Sequence, residues 1–152
     1  MPLTLRRATI DDVGLIGHHR DSMFRDMGIA EEVISAASAP ARVWLAAALT
    51  DGRYVGVLAQ DEGVVVGGVG VLWLDLPPNM HTTVPRRGYL LNMYVEPTHR
   101  RRGLARVLVD EALFVCRASG VDAVSLHASD AGRPLYEALG FTSTNEMRIT
   151  LP

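Results

Sequence analysis
The stretch Gly88-Tyr-Leu-Leu-Asn-Met-Tyr-Val-Glu-Pro-Thr-His-Arg-Arg-Arg-Gly-Leu-Ala-Arg106 decides how the rest of the chain is read. Tyr89 to Val95 is an apolar run with strand character, and Pro97 stops it because proline cannot donate into a sheet ladder. Three arginines and Gly103 follow. Leu104, Val107, Leu108, Ala112 and Val115 then recur at helical spacing. The free N–H groups of a helix's first turn and its dipole both favour an anion. A glycine there lets the anion approach the backbone closely. Strand, arginine-rich turn and helix together predict a phosphate-bearing ligand held between a strand edge and a helix N-terminus.

Outward from this stretch, 152 residues with 48% hydrophobic content predict one compact domain with its own core. A formal net charge of −2 gives no general attraction to nucleic acid or to an anionic membrane. Every Lys/Arg position is arginine, which excludes a lysine Schiff base and suits forked phosphate contacts. The single cysteine, Cys116, falls in the helical pattern after Gly103 and reads as a small core residue, so no internal disulfide is expected. The first residues lack a long apolar segment, and the longest apolar run, Val64 to Leu74, is too short to span a bilayer. The expectation is a soluble, cytoplasmic protein.

Upstream, Leu3 to Arg7 alternates as a strand, and Thr9-Ile-Asp-Asp12 has the look of a helix start running on to Gly28. A second helical segment spans about Glu31 to Leu49, with an interruption expected at Pro40. Tyr54–Ala59 and Val64–Leu74 read as a hairpin about Asp61-Glu-Gly63. Leu76 to Arg87 is a loop by composition. Downstream come a strand over Val121–Leu126, a short helix over Gly132–Leu139 and a last strand over Phe141–Ile149. The predicted fold is α/β: a single mixed, mostly antiparallel sheet of about six strands with helices on both faces, in one domain over 1–152.

Arg100-Arg-Arg-Gly-Leu-Ala105 matches the Q/R-x-x-G-x-G/A signature of the GNAT superfamily of acyl-CoA-dependent N-acetyltransferases. Leu135-Tyr-Glu-Ala-Leu-Gly-Phe141 is similar to the same family's L-Y-E-x-L-G-F ending, and the resemblance spans the whole chain. It implies acetyl-CoA as co-substrate, with no metal. The backbone N–H groups of Arg101, Arg102, Gly103, Leu104 and Ala105 would hold the pyrophosphate, with Arg100 and Arg106 beside them. The strand before the turn would carry a bulge, and Met93, Tyr94 and Val95 would pair with the pantetheine arm. An N–H near Val95 would polarise the thioester carbonyl. Tyr136 would protonate the departing thiolate, as a phenol is a weaker acid than a thiol. Many members have asparagine seven residues before this tyrosine and alanine four before it; here Ser129 and Gly132 stand there, and Ser129 can still make one hydrogen bond to the cofactor arm.

Amine acylation also needs a proton acceptor for the incoming ammonium. Asp26, Asp75, His81, Glu96 and His127 are the candidates, with Asp75 and His81 favoured by their place about the loop, and Glu96 equally suited to capping the turn at Pro97. The adjacent His18 and His19 point in different directions on a helix and make no metal site. The family resemblance places the acceptor under the segment between the first and second strands, which includes His19, Met23, Phe24, Arg25, Asp26 and Met27, with Met23 and Phe24 read first as core. The acceptor half of the function is expected around residues 18–30 and 75–87. The expected acceptor is a primary amine of a small molecule or a peptide, attacked on acetyl-CoA directly. The rival reading is a non-catalytic acyl-CoA-binding or sensor domain of the same fold. Dimers are common in the family, so a homodimer is among the partners the resemblance allows.

Overall fold
The computed structural model describes residues 3–152. Its elements are β1 (Leu3–Arg7), α1 (Val13–Asp26), α2 (Glu31–Asp51), β2 (Tyr54–Asp61), β3 (Val64–Asp75), β4 (Arg86–Val95), α3 (Leu104–Ala118), β5 (Val124–Leu126) and α4 (Arg133–Ala138). One 3₁₀ turn precedes α1 and another, Pro97–His99, follows β4. The strands form one sheet in the order β1-β2-β3-β4-β5, antiparallel except for the parallel pair β4 and β5.

Alternation along β2 explains why both faces are covered. Val57 and Ala59 point into a core with Val71, Leu90, Leu108, Val109 and Ala112, on the α3 face. Tyr54 and Leu58 point the other way, against Ile16 of α1 and Leu45 and Ala48 of α2. The sheet is therefore buried on both sides, in agreement with the mixed α/β architecture expected from the sequence.

Three sequence expectations are corrected. The sheet has five strands among the described residues, because Phe141–Ile149 forms no ladder there: Phe141 packs on the core and residues 142–149 are exposed. α2 continues through Pro40 without interruption. Proline there forfeits one helix hydrogen bond, and packing of Ile34 on one side of it and Leu45 and Ala48 on the other holds the helix together. α2 is also long and apolar enough, by length and composition, to cross a bilayer, although it packs here on α1 and β2. β5 is shorter than the Val121–Leu126 run, because Val121 turns inward as a core residue at the end of α3.

The feature that positions the site is a bulge. Gly68 pairs with Tyr94 but Gly70 pairs with Leu91, so Asn92 and Met93 stand opposite Val69 alone. Asn92 has φ +55°, and its side-chain amide donates to the Tyr54 hydroxyl at 3.2 Å. Gly70 makes room for this arrangement, since a Cβ there would strike the Tyr54 ring. Beyond Leu90, which pairs with Leu126, β5 ends while β4 continues to Val95. One edge of β4 from Leu91 to Val95 therefore lacks a neighbouring strand.

Candidate active site
The open edge of β4 leads into a turn with unsatisfied donors. Arg101 (φ +62°) and Gly103 (φ +78°) both adopt left-handed backbone, which folds successive N–H groups toward one concavity. Among the described residues no protein acceptor meets the backbone N–H of Arg101, Arg102, Gly103, Leu104, Ala105 or Arg106. The first helical hydrogen bond at this end runs from Val107 to Gly103. Gly103 is the residue before α3, no side chain caps it, and Arg101, Arg102 and Gly103 are all exposed. Backbone donors without protein partners at a helix start suit a multiply charged anion, and a pyrophosphate fits them.

Alternation fixes which strand groups face the gap. The Glu96 N–H donates to Val66 of β3 at 2.8 Å, so Glu96 and Tyr94 turn their backbone toward β3. Met93 and Val95 consequently turn theirs toward the open edge. The Val95 carbonyl already accepts from Arg100 Nε at 2.8 Å, which leaves its N–H as the free group there. The Arg100 guanidinium also donates to Asp26 of α1 at 2.7 Å and lies over the Tyr94 ring at 5.4 Å. Arg100 thus ties strand, turn and α1 together, and its charge is spent on Asp26. Arg106 lies 3.9 Å from Asp110 one turn along α3.

Tyr136 is half-buried on α4 and packs edge-on against Phe141, with ring centroids 5.8 Å apart. Burial pushes its phenol above the usual range, and its hydroxyl has no hydrogen-bond partner among the described residues. It therefore carries a proton at neutral pH that no protein group holds. Ser129 accepts from the Gly132 N–H at 3.1 Å and so shapes the lead into α4, which leaves its own hydroxyl proton to donate. A Cβ at Gly132 would come within 3.1 Å of the Tyr136 ring and 3.2 Å of Ser129 Oγ, so glycine keeps the three together.

The proton-acceptor candidates separate clearly. Asp75 pairs with Arg86 at the opposite end of β4, on the order of 20 Å along the strand from Met93. His81 sits in the exposed loop beyond it. Neither is brought to the bulge, because only the sheet register reveals which end of β4 that loop adjoins. Asp26 is held by Arg100, and His127 contacts the Tyr89 hydroxyl. Glu96 begins the Pro97–His99 turn yet makes no side-chain cap bond. Its carboxylate instead faces His18 Nε2 at 3.9 Å. His18 was not expected from the sequence, and only the direction of α1 relative to β4 could have exposed it. His19, by contrast, is 1% exposed, and burial holds its imidazole down at about 4. It is a neutral core residue stacked near Tyr94 at 5.2 Å. Met23 and Phe24 are half-buried, while Arg25, Asp26 and Met27 are exposed. No group of three or more His, Cys, Asp and Glu side chains that could hold a metal ion occurs among the described residues.

Comparison with known proteins converges on one family. The sequence model of the Acetyltransferase (GNAT) family matches residues 22–141. A GCN5-related N-acetyltransferase from Ralstonia eutropha JMP134 superposes over 99% of both chains with a TM-score of 0.96 at 34% identity. A predicted acetyltransferase with acetyl-CoA from Clostridium acetobutylicum superposes with a TM-score of 0.91 at 25% identity, over 99% of this chain and 96% of that one. Human N-acetyltransferase 8 is 34% identical over 92 residues, 59% of this chain and 39% of the human protein. The match thus spans well under half the length of that relative. Glucosamine 6-phosphate N-acetyltransferase of Trypanosoma brucei brucei is 28% identical over 60% of this chain and 61% of that protein.

Proposed function
The chain belongs to the acetyltransferase (GNAT) family, and on that premise we propose that it moves an acetyl group from acetyl-CoA to a primary amine of a small molecule or a peptide by direct attack. The observation that carries this reading is the run of six partnerless N–H groups from Arg101 to Arg106, placed directly beyond the open edge of β4. When bound, acetyl-CoA supplies the acyl group in activated form as a thioester.

The protein's own part follows from the groups left free. The turn N–H groups bind the pyrophosphate, and the edge groups of Met93 and the Val95 N–H receive the pantetheine arm as an added strand. The Val95 N–H stabilises negative charge on the carbonyl oxygen. Ser129 donates to the arm from the facing side. Tyr136 gives its phenolic proton to the sulfur as the C–S bond breaks, and burial keeps that proton in place through neutral pH. Glu96, beside His18 and free of any capping role, takes the proton that the attacking ammonium must lose. One relative is named mycothiol acetyltransferase and another glucosamine 6-phosphate N-acetyltransferase, so the relatives' names do not choose among acceptors; the exposed Arg25 and Asp26 give the acceptor side a polar wall.

The test is release of free CoA thiol across a panel of polyamines, aminoglycosides, amino acids and peptide N-termini. Amine-dependent release that drops about 100-fold in Glu96→Gln at pH 7, with CoA binding retained, supports the assignment. CoA binding with no release for any amine would favour the sensor reading.

A further inference from the structure
Two polar atoms on one face of the sheet are buried and unpaired. Arg87 Nε and Ser125 Oγ are both closed to solvent, and neither has a hydrogen-bond partner among the described residues. Arg87 belongs to β4 and Ser125 to β5, where Ser125 pairs with Tyr89. Before the bulge, Leu90 turns to the α3 core and Leu91 to the α1 side. Alternation therefore places Arg87 and Tyr89 on the α1 side, with Ser125 and His127 next to them on β5. The contact between the Tyr89 hydroxyl and His127 agrees with that placement. Beyond the bulge Glu96, which faces His18 of α1, lies on the same side. Arg86, by contrast, lies over the Trp73 ring at 4.5 Å, on the α3 side. Arg87 forms no ion pair among the described residues. Burial raises the Tyr89 phenol, and after it the charges of Glu146, Arg148 and Arg87 act on that group, so all three gather round it. Two arginines against one carboxylate leave one positive charge over. A groove joins Arg87, Tyr89, Ser125, His127 and Arg148 to Tyr136.

We propose that this end of the groove takes a carboxylate of the acceptor, which is a peptide: its free N-terminal amine meets Glu96 while an acidic side chain further along lies against Arg87 and Ser125. The Nε edge of a guanidinium donates to a carboxylate in a fork, and the Ser125 hydroxyl supplies a third bond. Folding has already stripped these two groups of water, so a ligand that pairs them removes a penalty the free protein carries. Glu146 offsets one of the two arginines, which suits a singly charged carboxylate better than a phosphate. Spacing favours a peptide over a small amine. Arg87 lies on the order of 20 Å along β4 from Met93, and an extended chain advances about 3.3 Å per residue. Roughly five residues, with the reach of the acidic side chain, span that distance. The inference deepens the acetyl-transfer reading and rests on it for calling the peptide an acceptor.

Calorimetry on the CoA-loaded protein tests it. The probes are alanine-based peptide amides of eight residues with a free N-terminal amine and one Glu walked from the second position to the seventh. Each is measured beside its Gln counterpart. Glu at the fourth to sixth positions is expected to bind about tenfold or more tighter than Gln there, and Glu at the second position no tighter. In Arg87→Gln that ratio should fall to about one, with CoA affinity as in the wild type, because Arg87 stands at the other end of β4 from the pyrophosphate turn. In Arg87→Glu the preference should pass to a Lys at the same position. Ser125→Ala should lower the ratio about threefold. Equal affinity for Glu and Gln at every position, no binding of any peptide, or a preference that survives in Arg87→Gln overturns the proposal. A preference indifferent to position overturns the extended pose from Glu96 to Arg87. Release of CoA thiol is read separately. The expected binding preference without release for any amine would overturn the acetyl-transfer reading and leave the carboxylate site standing.

Discussion

Two helix starts in this protein meet the same problem in opposite ways. Before α1, Thr9 accepts from the Asp11 N–H, and Asp12 accepts from the Thr9 N–H at 2.7 Å, a reciprocal capping box. Arg6 then grips both Asp12 oxygens at 2.8 and 2.9 Å. Before α3 no side chain caps anything, although the exposed residues there include two arginines. One start is closed by its own sequence and contributes stability; the other is left open and serves a ligand. The comparison separates residues that hold the fold from residues that do its work.

Breaking the open start has the largest expected effect. Gly103→Val forces a β-branched residue to φ +78° and is expected to lower CoA affinity at least about 100-fold by calorimetry. Retained affinity would remove the turn from the site. Tyr136→Phe should lower turnover about 100-fold while CoA affinity stays within about twofold, because only proton donation is lost. A matching loss of affinity would make Tyr136 a packing residue. Breaking the closed start should do the reverse. Asp12→Ala should cost about 2 kcal/mol in urea unfolding, with CoA affinity unchanged.

Acid separates the two further. The Arg6 side-chain bond, aided by Thr9, holds Asp12 below its ordinary 3.8, so its contribution is present above that pH and is lost as pH falls through the lower folded value. His19 acts in a higher window. Its folded value near 4 lies below the ordinary 6.5, so the unfolded chain binds the extra proton between them and stability falls as pH drops through that range. The expected loss is about 2 kcal/mol between pH 7 and pH 5, and His19→Gln should flatten that slope. An equal slope in the variant would assign the loss to other groups.

The stretch from Gly88 to Arg106 was legible because its punctuation is local. Pro97 ends the strand, Gly103 takes a left-handed backbone that other residues resist, and apolar spacing announces α3. Legibility failed where one element had to be placed against another. Asp75 and His81 looked near the site until the register set them at the far end of β4. Glu96 could not be preferred over its capping role until α1 brought His18 to its carboxylate. Phe141–Ile149 reads as a strand because alternation is a local pattern, whereas a ladder needs backbone pairing that this segment does not make among the described residues. The helix through Pro40 is a case of packing overriding a local breaker.

The bulge at Asn92 and Met93 amounts to a change of parity. Below it the even residues Gly88 and Leu90 pair with β5; above it the odd residues Met93 and Val95 face that same edge. Side chains switch with the backbone, so Leu90 and Val95 both reach the α3 core while Leu91 and Tyr94 both reach the α1 side. A chain shortened by that one residue would keep its composition and both sequence motifs. It would present the wrong half of its backbone to the gap, or the wrong half of its side chains to the core.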